Sequence, residues 1–172
     1  MSRVLGIDPG SRATGFGVID GDGTALKYVT SGVIRTGSAE FPDRLRIIFE
    51  GISEVISNEA PTAIVVEQVF VQHNVASALK LGQARGAAIC AGATRGIPIS
   101  EYAPRAIKLA LTGSGAADKG QVQQMVLQLL GLNGKLQEDA GDALAVALCH
   151  LQQARLGHQL DHALASQRRR RR

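Results

Sequence analysis

Tryptophan is absent from the 172 residues, and the other aromatics are four Phe and two Tyr. That is too few for a platform on which single-stranded nucleic acid could stack. Only two cysteines occur, Cys90 and Cys149, in the small-apolar strings AAICAGA and VALCH. Both read as reduced, buried thiols. The histidines, His73, His150, His158 and His162, are scattered, so no Cys/His cluster supports zinc. No apolar run is long enough to span a bilayer, and MSRVLGIDPG has no apolar core before a small-residue cleavage site. A cytoplasmic protein without membrane association is the expectation. The glycine-rich strings GSRATGFG and GSGAADKG match neither the dinucleotide fingerprint nor the phosphate loop of nucleotide hydrolases. Internal repeats are also lacking, and RRRRR at the end is the one low-complexity stretch.

What the chain does have is segregated charge. Its net charge of +4 becomes −1 without Arg168 to Arg172. Residues 1–67 carry nine acids against six bases, 68–120 six bases against two acids, and 121–167 four acids against two bases. A basic middle between acidic flanks suggests a polyanion-binding surface beside a carboxylate cluster. The arginine run reads as a basic, disordered tail, 158–172, following a domain of residues 1–157, and it adds non-specific attraction to phosphate.

The first third reads as strands. RVLGID is a short apolar run, TGFGVID alternates and ALKYVTSGVIRT is β-branched, with DGDG turning between the last two. DRLRIIFEGISEVISNEAP then has a helical apolar stripe that Pro61 stops, and TAIVVEQVF is a buried strand ending in Glu67. Asn74 to Arg95 reads as a long Ala/Gly-rich helix, GIPIS as a short strand and PRAIKLALTG as a short helix. TGSGAADKG is a flexible loop, QVQQMVLQLLG a helix capped by Gly131, and EDAGDALAVALCH opens the last helix. This order predicts one α/β domain: a five-stranded mixed sheet flanked by helices on both faces.

Four acids need explaining. Asp8 ends the run Val4, Leu5, Gly6, Ile7, where aspartate is disfavoured, although an Asp before Pro also starts turns. Glu67 follows Ile64, Val65 and Val66 in the same way, and Glu is no turn former. If those strands are parallel neighbours, about 4.8 Å apart, their terminal carboxylates either raise each other's pKa or share a cation. Asp139 and Asp142, three apart, share a helix face at the mouth of an apolar helix. They could be helix caps, or they could be aimed at the sheet edge. Four converging acids suit a hard divalent ion with oxygen ligands, and a pair of Mg²⁺ ions about 4 Å apart can clamp both oxygens of a phosphodiester displacement. His150 lies eight residues past Asp142, about 12 Å along the axis, and is not assigned as a ligand.

The strings GIDPGSRATGFGVID, VVEQVF, NVASALKLGQARGA, YAPRAIKLALTGSGAADKGQVQQMV and EDAGDALAVALCH, in this order from about residue 3 to 156, resemble the RuvC family of bacterial Holliday junction resolvases. The resemblance implies an RNase H-like fold and a homodimeric, Mg²⁺-dependent endonuclease, with Mn²⁺ as a substitute. It implies nicking of two opposed strands of a four-way DNA junction during recombination and repair, leaving 5′-phosphate and 3′-hydroxyl ends, in company with RuvA and RuvB. Carried over by position, Asp8, Glu67, Asp139 and Asp142 match the family's acidic tetrad. Some relatives have His where Asp139 stands. One metal would sit between Asp8 and the acids of the last helix, a second between Asp8 and Glu67. Lys108 and Lys119 match lysines needed near the scissile phosphate, and Phe70 an aromatic placed against DNA bases. Lys80, Arg85 and Arg105, from the basic middle, are the further DNA-binding candidates. The arginine tail has no counterpart in this pattern.

Three rivals stay open at this level. An actin-like ATPase or sugar kinase shares the GID-x-G turn but needs a second domain and a second phosphate loop. A non-catalytic DNA-binding module is a second, but six aromatic residues in the whole chain are few for a platform that stacks single strands. A related nuclease acting on RNA precursors is separated only by substrate assays.

Overall fold

The computed structural model describes residues 2–22, 25–69 and 74–170, with side-chain surroundings as far as Gly157. Phe70, His73 and Gly23, the last residue of the DGDG turn, therefore lie outside the described residues. Strands β1 (Ser2–Asp8), β2 (Ala13–Gly21) and β3 (Leu26–Arg35) form an antiparallel meander. Helix α1 (Phe41–Glu59) leads to β4 (Ala63–Glu67), α2 (Val75–Ala93) to β5 (Ile99–Tyr102), and α3 (Pro104–Thr112), α4 (Lys119–Leu130) and α5 (Glu138–Arg170) follow. The sheet order is β3-β2-β1-β4-β5, with β4 parallel to both β1 and β5. The expected five-stranded mixed sheet with helices on both faces is the observed one.

Strand alternation divides the core. Leu5, Ile7, Val18, Ile64 and Val66 point to one face, where Ile48, Ile52 and Ile56 of α1 and Ala84, Ala88 and Ala91 of α2 cover them. Val4, Ile19 and Val65 point to the other, against Leu144 and Leu148 of α5 and Ile107 and Val126 of α3 and α4. Burial of this kind stabilises by roughly 25 cal/mol per Å² of apolar surface.

Helix α5 lies on the sheet where the sheet has no side chains. Gly6 and Gly17 are cross-strand partners, and a Cβ at Gly6 would run into the backbone carbonyl of Ala143. A Cβ at Gly17 would meet the Leu144 side chain at 2.7 Å. One rung along, Gly15 faces Asp8 across the ladder, and a Cβ there would strike the Asp139 carbonyl. The missing side chains thus set the height and the register of the helix.

Several element ends differ from the sequence reading, each for a local reason. The fifth strand is Ile99–Tyr102 rather than GIPIS, because Ile64 to Glu67 pair with those residues. Lys119 is not in a loop but is the first residue of α4, whose start is fixed by an Asp118–Gln121 capping box. Cys90 is exposed, not buried, whereas Cys149 is buried as expected. Ala88 and Ala91 form the inward face of α2, which turns Cys90 outward. The helical backbone of α5 continues to Arg170, through the segment that the sequence reading set apart as a tail. Past Gly157 that segment has neither Gly nor Pro to stop a helix.

Candidate active site

Parallel pairing of β1 with β4 brings two strand ends together. Ile7 is in register with Val66, so Asp8 and Glu67 leave neighbouring strands at the same edge. Beyond Asp8 the chain turns through Pro9 and Gly10, and the buried Thr14 closes this loop by donating to the Gly10 carbonyl at 2.9 Å. The buried Thr36 hydroxyl donates to the carbonyls of Ser11 and Arg12 from the other side. Neither threonine was singled out from the sequence, where a lone Thr carries no signal of such a role.

The Asp8 and Glu67 carboxyl groups are close enough to perturb each other, Glu67 raising Asp8 and Asp8 lowering Glu67. Burial, and then the negative charges of Glu67, Asp142 and Asp139, push the Asp8 carboxyl up to about 8. Burial also raises Glu67; Asp8 opposes that rise, Asp142 adds to it, and Lys119 and Lys108 lower it. All four acids expected at the site therefore meet electrostatically at Asp8.

The helix mouth supplies the second pair. Asp142, about one-fifth exposed at 21%, accepts from Lys119 Nζ at 2.7 Å. Lys119 also reaches Glu138 Oε1 at 2.5 Å. Partial burial pulls the ammonium down, but the bonds to Asp142 and Glu138 outweigh it and hold Lys119 above the ordinary lysine range. The bond to Lys119 in turn holds the Glu138 carboxyl below its usual range. Glu138 was missed as a partner from the sequence, although it heads the string EDAGD. Glu67, Lys108, Lys119 and Asp142 line one cleft of about 200 Å³, floored by Ile107 and Val122.

The remaining candidates are placed differently. Arg85 pairs with Glu101 at 2.6 Å and donates to the Glu67 carbonyl at 3.4 Å, so it braces the end of β4. Lys80 is exposed on α2, its ammonium 5.7 Å from the Phe41 ring centroid. Arg105 is exposed on α3 and lays its stem over Gly115. His150, set aside as a ligand, meets the Tyr102 hydroxyl at 3.1 Å, away from the acids.

The donor set is one of hard carboxylate oxygens with surplus negative charge, which fits a divalent cation and offers nothing to a soft one. Among the described residues no three of His, Cys, Asp and Glu are gathered closely enough to chelate as they stand. Lys119 bridges Asp142 and Glu138. Asp139, Asp142 and Glu67 all act electrostatically on Asp8 at this sheet edge.

A mixed sheet whose central strand and parallel neighbour end in acids, completed by acids at the mouth of a helix laid across the sheet, defines an RNase H-like nuclease. The particular family follows from comparison with known proteins. The model for "Crossover junction endodeoxyribonuclease RuvC" matches residues 4–150, and the chain belongs to this family. The namesake protein of Methylococcus capsulatus is 60% identical over 151 residues, 88% of this chain and 91% of that one. That of Alkalilimnicola ehrlichii is 56% identical over 163 residues, 95% of this chain and 99% of the other. The structure of Thermus thermophilus RuvC in complex with a Holliday junction substrate superposes with a TM-score of 0.86 at 34% identity, covering 91% and 97% of the two chains. This chain is accordingly a hydrolase of the crossover junction endodeoxyribonuclease type, and a nuclease fold of this type implies a divalent metal.

Proposed function

We propose that this chain resolves four-way DNA junctions in the cytoplasm, hydrolysing one phosphodiester in each of two opposed strands. The observation that supports it is the cleft itself, where Glu67 and Asp142 face Lys108 and Lys119 within one contiguous lining, with Asp8 coupled to both acids. Asp8, Glu67, Asp139 and Asp142 would hold Mg²⁺, two ions per subunit, with Mn²⁺ as a substitute. Bound there, the metal supplies charge neutralisation and an activated water. The chain's own part is positional. Lys108 and Lys119 offset the charge of the incoming phosphate from the rim of the cleft. Phe70 is proposed to touch bases near the cleavage point, and Lys80 and Arg105 the phosphates beyond it. Arg85 acts indirectly, by steadying the strand end that carries Glu67.

Products with 5′-phosphate and 3′-hydroxyl ends fit attack by water on the phosphorus with departure of the 3′ oxygen. A homodimer would give two sites for a substrate of near twofold symmetry. The exposed Val75 and Leu79 of α2, followed by Gly82 and Gly86 with open space above them, offer a face for the second copy. RuvA and RuvB are the partners that this assignment implies. The test compares Asp8→Asn and Asp142→Asn with wild type on a synthetic four-way junction in Mg²⁺. Binding is expected to persist and cleavage to fall by at least about a hundredfold, the scale on which removal of an electrostatic catalytic group is felt. Cleavage by either variant at the wild-type rate overturns the reading.

A further inference from the structure

We propose that Glu138 is a positioning residue that receives the Lys119 ammonium when a divalent cation takes Asp142, and thereby sets how tightly the site binds its metal. The inference rests on the reading of the acids as metal ligands. Lys119 stands between two carboxylates, at 2.7 Å from Asp142 and 2.5 Å from Glu138. The two acceptors are not equivalent. Asp142 is 21% exposed and lines the cleft with Glu67, whereas Glu138 is 70% exposed and lies outside that lining. Only one of them faces the place where a metal would be shared.

An ammonium and a metal ion compete for Asp142, because each is a cation seeking the same oxygens. Lys119 must therefore move off Asp142 for the acids to act together. The main chain at both ends of the contact is fixed: the capping box holds the start of α4, and Gln123 donates to the Glu138 carbonyl at 3.2 Å. With its backbone anchored, the displaced side chain keeps one carboxylate partner within reach, and that partner is Glu138. Shared between two carboxylates, the ammonium holds each less tightly than it would hold one alone, so its bond to Glu138 strengthens as it leaves Asp142, whereas without Glu138 the full Lys119–Asp142 pair has to break. The lysine also stays at the cleft rim, where substrate phosphate arrives.

Six proteins test this: wild type, Glu138→Gln, Glu138→Asp, Lys119→Met, the Glu138→Gln/Lys119→Met double variant and Asp8→Asn, all full-length and stripped of metal. Mg²⁺ is titrated into each, and the midpoint of thermal stabilisation is read, with single-turnover junction cleavage as the second readout. Loss of Glu138 is expected to raise the Mg²⁺ midpoint about two- to fivefold, the range of an exposed ion pair. Loss of Lys119 should lower the midpoint while cleavage falls, since the competitor has gone. Adding Glu138→Gln to Lys119→Met should then change nothing, and Glu138→Asp should restore part of the wild-type midpoint. An equal shift with and without Lys119 would make Glu138 a mere net charge and overturn the inference, as would an unmoved midpoint. If Mg²⁺ stabilises Asp8→Asn as much as wild type, the ligand reading itself fails, and this inference with it.

Discussion

Asp8→Asn should make the metal-free protein more stable while abolishing its response to metal. The folded-state pKa of Asp8 is raised from the ordinary 3.8 to about 8, by burial first and by Glu67, Asp142 and Asp139 next. Between these values the folded chain holds a proton that the unfolded chain has lost, so this group's contribution to stability falls as pH rises. Above about pH 8 both states are ionised and the penalty is complete. At roughly 1.4 kcal/mol per unit the whole span sets an upper limit of about 5–6 kcal/mol. Asp8 retains some contact with water and titrates together with Glu67, which reduces the figure to roughly 2 kcal/mol. For a domain of this size that is a gain of about 4–8 °C in melting temperature. Melting curves of wild type and variant from pH 5 to 8.5 in chelator should show the variant ahead at the alkaline end, with the gap closing towards pH 5. Added Mg²⁺ should then raise wild type alone and reverse the order. A variant that melts below wild type in chelator at every pH would refute the electrostatic reasoning and make Asp8 a net structural contributor.

Two further outcomes follow from packing. Gly15→Ala inserts a methyl group where the Asp139 carbonyl lies, and should cost about 1–3 kcal/mol in urea unfolding. It should also cut junction cleavage although all four acids remain, because the first turn of α5 is lifted from the sheet; unchanged activity would mean that the helix height does not matter. A thiol reagent should modify one cysteine rapidly in the native protein, the exposed Cys90. Cys149, whose thiol burial pushes up to about 11, should react only on unfolding, and fast reaction of both would contradict the packing of α5.

The strands and helices were legible because their periodicity is clean: Ile48, Ile52 and Ile56 repeat at helical spacing and Val4 to Ile7 form an unbroken apolar run. Asp8 and Glu67 were legible for a complementary reason, as charged residues where such runs end. The start of α4 was hidden, since GSGAADKG looks like a loop and only the reciprocal bonds of Asp118 and Gln121 make its last residues helical. Arg85 shows a different limit. Its charge was visible in the sequence, but its partner Glu101 lies on β5 and becomes a neighbour only through sheet pairing. Glu138 was obscured by its neighbours: beside two stronger candidates, a third acid in one turn carries no separate signal until Lys119 is seen to reach it.

The place of β1 in the sheet has a dynamic consequence. It is paired along both edges as far as Ile7, to β2 and to β4, and Asp8 is held by β2 beyond that, so the strand leading to Asp8 has no free side from which to loosen. Its amides should be among the last to exchange with deuterium, and those of the first turns of α4 and α5 well before them. The nuclease centre is then an anvil and a hammer: Asp8 stays where the sheet puts it, and the adjustment to metal and phosphate falls to Lys119, Glu138 and Asp142.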